Sequence, residues 1–217
     1  TRTAAVILET IQGEAGIRVP DATYMLELRK RCNDTGTLLI LDEIQTGFGR
    51  TGKFFAFEHF NIVPDILLLA KGMGGGMPIG AFISSKDMMD SFKENPILGH
   101  ITTFGGHPVS CAAGLATLNV ILEEDLMKDV ARKEELFRTH LRHPLIKEVR
   151  GKGLMLALQF ESFEQVETIS RQCTERGVII DWFLHCDNSM RIAPPLIITD
   201  DQIAEACRII KEVLDGM

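Results

Sequence analysis

Two short runs constrain the fold of this chain more than anything else in it: Thr37–Leu41 and Asp65–Ala70, each apolar almost throughout. Both are too short for a buried helix. A strand with one wet face alternates apolar and polar residues, so an unbroken apolar run of this length implies a strand covered on both faces. Such strands lie at the centre of parallel sheets sandwiched by helices. Ala4–Leu8 reads as a further strand and Ile79–Ser84 as a fourth. Between the first two strands, Pro20 suits a helix start. Tyr24, Leu28 and Cys32 then recur at helical spacing, and Gly36 stops the run. Strand, helix and strand in succession argue for βαβ construction rather than a β-sandwich. Each central run opens into a glycine-rich turn, Gly47–Gly52 and Gly72–Gly76, where a backbone without Cβ can approach a ligand closely.

The second half has a different texture. Ala112–Leu122 is small and apolar, like a packed helix, and Leu126, Val130, Phe137 and Leu141 stripe a charged helix that ends near His143-Pro144. Gly153–Phe160 and Val178–Phe183 read as strands around a helix, Glu164–Arg176, stopped by Gly177. Thr199 with Gln202 forms a capping box for a last helix whose stripe is Ile203, Cys207, Ile210 and Leu214. These changes place a domain boundary near residue 112, giving residues 1–112 and 113–217, both of α/β class.

The 217 residues carry 30 acidic and 23 basic side chains, a formal charge of −7, with no basic block. That balance argues against nucleic acid as a partner. The longest apolar runs, such as Ile66–Ala70, fall far short of the ~20 residues a membrane-spanning helix needs. Five scattered cysteines (Cys32, Cys111, Cys173, Cys186, Cys207) include no Cys-x-x-Cys pair. No zinc or other metal site and a reducing, cytoplasmic compartment are the simplest readings. The chain opens on Thr1 without initiator Met or leader, as expected of a piece of a longer protein.

Asp42-Glu43 after four apolar residues, followed by Gly47-Phe48-Gly49-Arg50-Thr51-Gly52-Lys53, imitates a nucleotide hydrolase. The imitation fails because Phe54 stands where a hydroxyl should reach magnesium, and because the loop follows the Asp instead of an earlier strand of its own. Asp42 and Lys71 make a better pair. Each lies at the C-terminal end of a central strand, the edge where open α/β sheets bind ligands. An amine there can condense with the aldehyde of pyridoxal phosphate, and a carboxylate can keep the pyridine nitrogen protonated so that the ring accepts electrons. Taken singly, a turn-capping Asp and a solvated Lys fit the same residues.

The stretch Leu39-Ile40-Leu41-Asp42-Glu43-Ile44-Gln45-Thr46-Gly47-Phe48-Gly49-Arg50-Thr51-Gly52, then Pro64-Asp65, Ala70-Lys71-Gly72-Met73-Gly74-Gly75-Gly76 and Pro78-Ile79-Gly80-Ala81, resembles the signature of class III pyridoxal-phosphate aminotransferases. Glu9-Thr10-Ile11-Gln12-Gly13-Glu14 and Thr102-Thr103-Phe104-Gly105-Gly106-His107-Pro108 resemble two further segments of that family, in its acetylornithine, ornithine and 4-aminobutyrate aminotransferase group. The resemblance implies fold type I: the second part of a cofactor-binding large domain with a mainly parallel sheet, then a smaller C-terminal α/β domain. It implies that Lys71 carries the cofactor and moves the substrate proton, that Asp42 pairs with the ring nitrogen, that Ile44 packs on the ring and that Gln45 reaches its phenolic oxygen. Thr103 would bind the cofactor phosphate of a neighbouring subunit, which implies a homodimer with shared sites. Arg191 would hold the substrate carboxylate and Glu14 would pair with Arg191 when an amine-ended substrate binds. An inter-domain salt bridge is the plainer role for Arg191.

Thr10, Phe104 and His107 replace the family's Pro, Tyr and Asn. The family's phosphate-cradling loop and second ring-covering aromatic lie upstream of this sequence. The implied reaction is transamination from an amino acid or ω-amine to a 2-oxo acid such as 2-oxoglutarate. An aminomutase, racemase or decarboxylase on the same fold, or an inert dimerisation module, are the alternatives.

Overall fold

The computed structural model describes residues 2–97 and 100–217. It divides into two compact units, one comprising Thr1–Thr10, Pro20–Phe48 and Phe55–Asp125, the other Ile11–Val19, Gly49–Phe54 and Leu126–Met217. The boundary expected near residue 112 lies inside a helix of the first unit.

In the first unit, β1 (Ala5–Glu9), β2 (Leu38–Asp42), β3 (Ile66–Leu69) and β4 (Ala81–Ser84) form a sheet in that order. β2 pairs in parallel with both β1 and β3, and β4 returns antiparallel with Ala81 opposite Leu69. The sheet is therefore mainly parallel, with one antiparallel edge strand. α1 (Ala22–Thr35) starts where the Asp21 side chain accepts from Thr23 N at 2.7 Å, and ends on Gly36 at φ 65°, a left-handed position that favours glycine. Asp65 links three elements: its Oδ2 accepts from Arg29 of α1 at 2.8 Å and from Leu39 N of β2 at 2.7 Å, just ahead of β3.

The core of this unit joins Met25 and Cys32 of α1 to Leu39, Leu41, Leu67 and Leu69 of the sheet and to Phe60 and Ile62. Two expectations need correction here. Tyr24 is 54% exposed, and Met25, the next residue, joins the expected Leu28 and Cys32 on the face towards the core. The central strands bury alternate residues, while Leu38, Ile40, Ile66 and Leu68 are only half-buried, so one face of the sheet is less covered than the other. α2 (Lys86–Asp90) and α3 (Pro108–Glu123) follow. Despite its apolar sequence, α3 buries Ser110 and Ile121 and leaves Leu115 and Leu122 exposed.

α3 packs against the turn that begins at Lys71. Gly75 in this turn has φ +55°, and a Cβ built on it would lie 2.0 Å from Thr117 Oγ1, which itself donates to Ala113 O at 2.8 Å. Any other side chain would face both the left-handed penalty and the helix.

The second unit contains α4 (Val130–His140), β5 (Glu148–Lys152), β6 (Met155–Gln159), α5 (Phe163–Glu175), β7 (Trp182–Phe183), β8 (Cys186–Ile192) and α6 (Asp200–Asp215). Its sheet runs β5-β6-β8-β7, antiparallel throughout. Leu156, Leu158 and Met190 pack with Phe137 of α4, Val166, Ile169 and Cys173 of α5, and Ile203, Cys207, Ile210 and Leu214 of α6. The expected box is present: Gln202 N donates to Thr199 Oγ1 at 3.2 Å and Thr199 N to Gln202 Oε1 at 3.0 Å. The strand expected over Val178–Phe183 shrinks to β7, and Trp182 is 39% exposed at its edge, with Phe163 edge-on. Among the described residues no helix is long and apolar enough to cross a membrane.

Two outcomes follow from this packing. Replacing Gly75 with Ala in the full-length chain is expected to cost about 2 kcal/mol, since an L-residue in the left-handed region alone costs roughly 1–2 kcal/mol; urea unfolding measures it. Burial pushes the Cys173 thiol up to about 11 and the Cys207 thiol up to about 12, from an ordinary 9.0. The folded state holds these protons more tightly, so its stability is complete below pH 9 and declines as pH rises through 11 to 12. At pH 8, a thiol reagent should modify exposed Cys111 promptly and reach Cys173 and Cys207 only upon unfolding.

Candidate active site

Parallel pairing puts the C-terminal ends of β1, β2 and β3 at one sheet edge, with Glu9 opposite Asp42 and Asp42 opposite Leu68. Asp42 closes β2, and Lys71 follows β3 after the single residue Ala70. The two residues paired from sequence therefore leave neighbouring strands at the same edge. The Asp42 carboxylate is half-buried; Oδ1 accepts from Ile44 N at 2.9 Å, and Oδ2 has no hydrogen-bond partner among the described residues. Lys71 is exposed, its side chain makes no hydrogen bond or ion pair among the described residues, and it sits at φ 44°. A non-glycine residue in the left-handed region stores strain, and such strain concentrates at functional positions.

Ile44 and Gln45, both half-buried, continue the turn after Asp42. Thr103 is exposed and lines a cavity of about 410 Å³ with Pro78, Gly80, His107 and Ser110. Gly80 immediately precedes β4, and a Cβ on it would lie 3.3 Å from Leu69 O, so this cavity borders the edge that carries Lys71. Among the described residues no group of three or more His, Cys, Asp or Glu is placed to hold a metal ion.

The second unit brings Glu14 and Arg191 together. Arg191 Nη2 donates to both Glu14 oxygens at 2.9 Å, with the two side chains 22% and 26% exposed. Arg191 lies on β8, opposite Ala157 of β6. Its guanidinium is 4.7 Å from the Phe183 ring centre, a cation over an aromatic face, and its Nε is 3.6 Å from Asp181 Oδ1. Glu14 is held in turn: Leu184 N donates to its Oε2 at 3.2 Å and His185 N to its backbone oxygen at 3.0 Å. Arg191 also lines a cavity of about 1030 Å³ with Asp181, Pro194, Glu205 and Ile209.

Sequence reasoning missed two residues of this cluster. Phe183 read only as part of an apolar strand, and nothing in its spacing announces the cation above it. Arg50 read as part of a glycine loop. Its Nη1 donates to the backbone oxygens of Leu154, at 3.1 Å, and Pro194, three residues beyond Arg191. Burial lowers the Arg50 pKa from its ordinary value.

The sequence matches the family Aminotransferase class-III over residues 1–214. It is 43% identical over 215 residues to an acetylornithine aminotransferase of Caldanaerobacter subterraneus, covering 97% of this chain and 53% of that protein. It is 44% identical over 218 residues to a putrescine aminotransferase of Pectobacterium atrosepticum, covering 97% and 46%. An ornithine aminotransferase structure from Toxoplasma gondii, with pyridoxal phosphate partially occupying its active site, superposes with a TM-score of 0.88 at 37% identity, covering 97% of this chain and 50% of that one. The chain thus spans about half the length of the relatives it matches. Its α/β architecture is that of the fold type I pyridoxal-phosphate enzymes, and the chain belongs to the class III aminotransferases.

Proposed function

We propose that the full-length chain carrying this sequence is a pyridoxal-phosphate aminotransferase that moves an amino group from an ω-amine of the ornithine, N-acetylornithine or 4-aminobutyrate type to a 2-oxo acid such as 2-oxoglutarate. The observation that carries the reading is the two-oxygen contact of Glu14 with Arg191. A guanidinium offers parallel donors to a carboxylate. With Glu14 in place it is neutralised, which suits a substrate whose amine end carries no carboxylate beside it. With Glu14 withdrawn it is free for the α-carboxylate of a 2-oxo acid, so one pocket serves both halves of an exchange. The relatives named for acetylornithine and for putrescine, at 43% and 44% identity, match the chain about equally and support an ω-amine donor without choosing between them.

The residues at the sheet edge suit the cofactor's chemistry. Bound pyridoxal phosphate supplies an aldehyde to accept the amino group and a ring that acidifies the adjacent C–H bond. Lys71, an unengaged amine, would hold the cofactor and then carry the proton to and from the substrate carbon. Asp42 would keep the ring nitrogen protonated through its unpartnered Oδ2, since a nearby negative charge raises the affinity for that proton. Ile44 would pack on the ring and Gln45 would donate to its phenolic oxygen.

Thr103 would reach the phosphate of a neighbouring subunit in a homodimer. The exposed apolar residues Ile7, Phe82, Phe104 and Leu115 support further covering of the first unit by the rest of the chain and by that subunit. On this reading the first unit is the second part of the cofactor-binding domain and the second unit is the small domain. The free thiols of all five cysteines support a reducing, cytoplasmic setting.

Lys71→Ala in the full-length protein should abolish the absorbance of the lysine-bound cofactor and nearly all turnover; full activity in that variant overturns the reading. Arg191→Ala should raise KM for the 2-oxo acid roughly tenfold to a hundredfold, the worth of a charged hydrogen-bonded contact. Glu14→Ala should slow the half-reaction with the ω-amine while sparing that with the 2-oxo acid, as single-turnover spectra would report. An amine isomerised or decarboxylated with no 2-oxo acid formed would decide for a different reaction.

A further inference from the structure

Beside Asp42 lies a carboxylate that the proposed chemistry does not use. Glu43 is fully buried, at 0% exposure. Its Oε1 accepts from Thr10 Oγ1 at 2.9 Å and from Phe57 N at 2.8 Å; its Oε2 accepts from Thr46 Oγ1 at 2.6 Å and from Ala56 N at 2.8 Å. Two oxygens thus take four neutral donors, about the full accepting capacity of a carboxylate. A buried charge is tolerable only when hydrogen-bonded in this way. An apolar residue would fill the same volume without that desolvation cost. It could not tie the end of β1, the turn after β2 and the start of the helical turn at Ala56–Phe60 to one point.

The main chain around Glu43 is pinned as well. Glu43 N donates to Leu68 O of β3 at 3.0 Å, and Gly47 N donates to Glu43 O at 3.0 Å. Asp42 O accepts from Thr10 N at 3.3 Å, and Asp42 Oδ1 accepts from Ile44 N at 2.9 Å. Every one of these bonds lies within the first unit. The turn from Asp42 to Gln45 therefore cannot shift without breaking bonds that converge on Glu43.

We infer that Glu43 is a positioning residue: its buried carboxylate holds the Asp42–Gln45 turn so that Asp42 Oδ2, Ile44 and Gln45 are aimed before the cofactor arrives. The inference rests on the pyridoxal-phosphate reading above. Charge held in place in advance stabilises a developing charge without reorganisation.

The test is Glu43→Gln in the full-length protein. The amide is isosteric, yet whichever way it faces, its NH₂ meets a backbone N–H, that of Phe57 or that of Ala56. In the cofactor-free variant, hydrogen exchange at the Ile44, Ala56 and Phe57 amides should accelerate by about tenfold, the effect of losing one hydrogen bond, while β3 amides keep their rates. Cofactor affinity should fall by about tenfold. The pH midpoint of the lysine-bound cofactor's absorbance should move in the same direction as in Asp42→Asn. Added to Asp42→Asn, Glu43→Gln should move it no further, because residues acting through one another are not additive.

An unchanged pH profile and cofactor affinity in Glu43→Gln, with a normal band in the wild-type protein, overturn the role of Glu43 alone, even if the variant melts earlier. Absence of the band in the wild type overturns the cofactor reading and this inference with it. Should Glu43→Gln fail to fold, Thr46→Val, which removes one donor to Oε2, carries the same spectral comparison.

Discussion

Parallel pairing of β2 with both of its neighbours is the constraint from which the placement of the first unit's candidate residues follows. Parallel strands cannot be joined by hairpins, so the chain must cross back through helices or long segments before re-entering the sheet. The ends of β1, β2 and β3 consequently face one way, and Glu9, Asp42 and Lys71 emerge along a single edge. Rigid strands fix those residues more tightly than loops of the same length would. The unpaired acceptor on Asp42 and the strained backbone of Lys71 both occur at this edge. The Asp65 contacts with Arg29 and Leu39 do purely structural work where β3 begins.

The second unit places charge by a different route. Arg191 sits within an antiparallel strand, and its guanidinium is bounded by the Phe183 ring and the Glu14 carboxylate. A partly screened Arg paired with a partly screened Glu is a balanced arrangement. On the proposed reading, the pair would open when a substrate carboxylate takes the place of Glu14. The backbone contacts of Arg50 with Leu154 and Pro194 steady the segment just beyond Arg191. Positioning here comes from the sheet and the loop at Gly49–Phe54, not from a helix terminus.

A chain half as long as its relatives carries an uneven share of the family's features. The amine, the ring-nitrogen carboxylate and the carboxylate-binding Arg of the proposed chemistry lie within it. The less-covered sheet face and the exposed apolar side of α3 belong to the same unit as the first two. Apolar surface of that kind is where further protein packs, and it explains why an apolar sequence such as Ala112–Leu122 can form a helix with little of it buried.

Much of this was legible in the residue order. Apolar runs located β2 and β3, Gly36 and the Thr199–Gln202 box located helix ends, and the Asp42 and Lys71 positions followed from where the runs stop, because periodicity and backbone preference are local properties. Strands β5 and β8 escaped notice: Glu148-Val149-Arg150-Gly151-Lys152 and Cys186-Asp187-Asn188-Ser189 carry charges and polar groups, and Arg150 in the first finds a partner, Ser189, in the second. The choice of Met25 over Tyr24 for the buried stripe, the cation over Phe183 and the four donors around Glu43 were likewise decided only by the tertiary structure. Each depends on separate elements and turns meeting in space, and a hydrogen bond or ring contact between them leaves no periodic trace in either segment. The sequence by itself singled out the residues that the proposed chemistry would use; the packing of the chain decided what holds them in place.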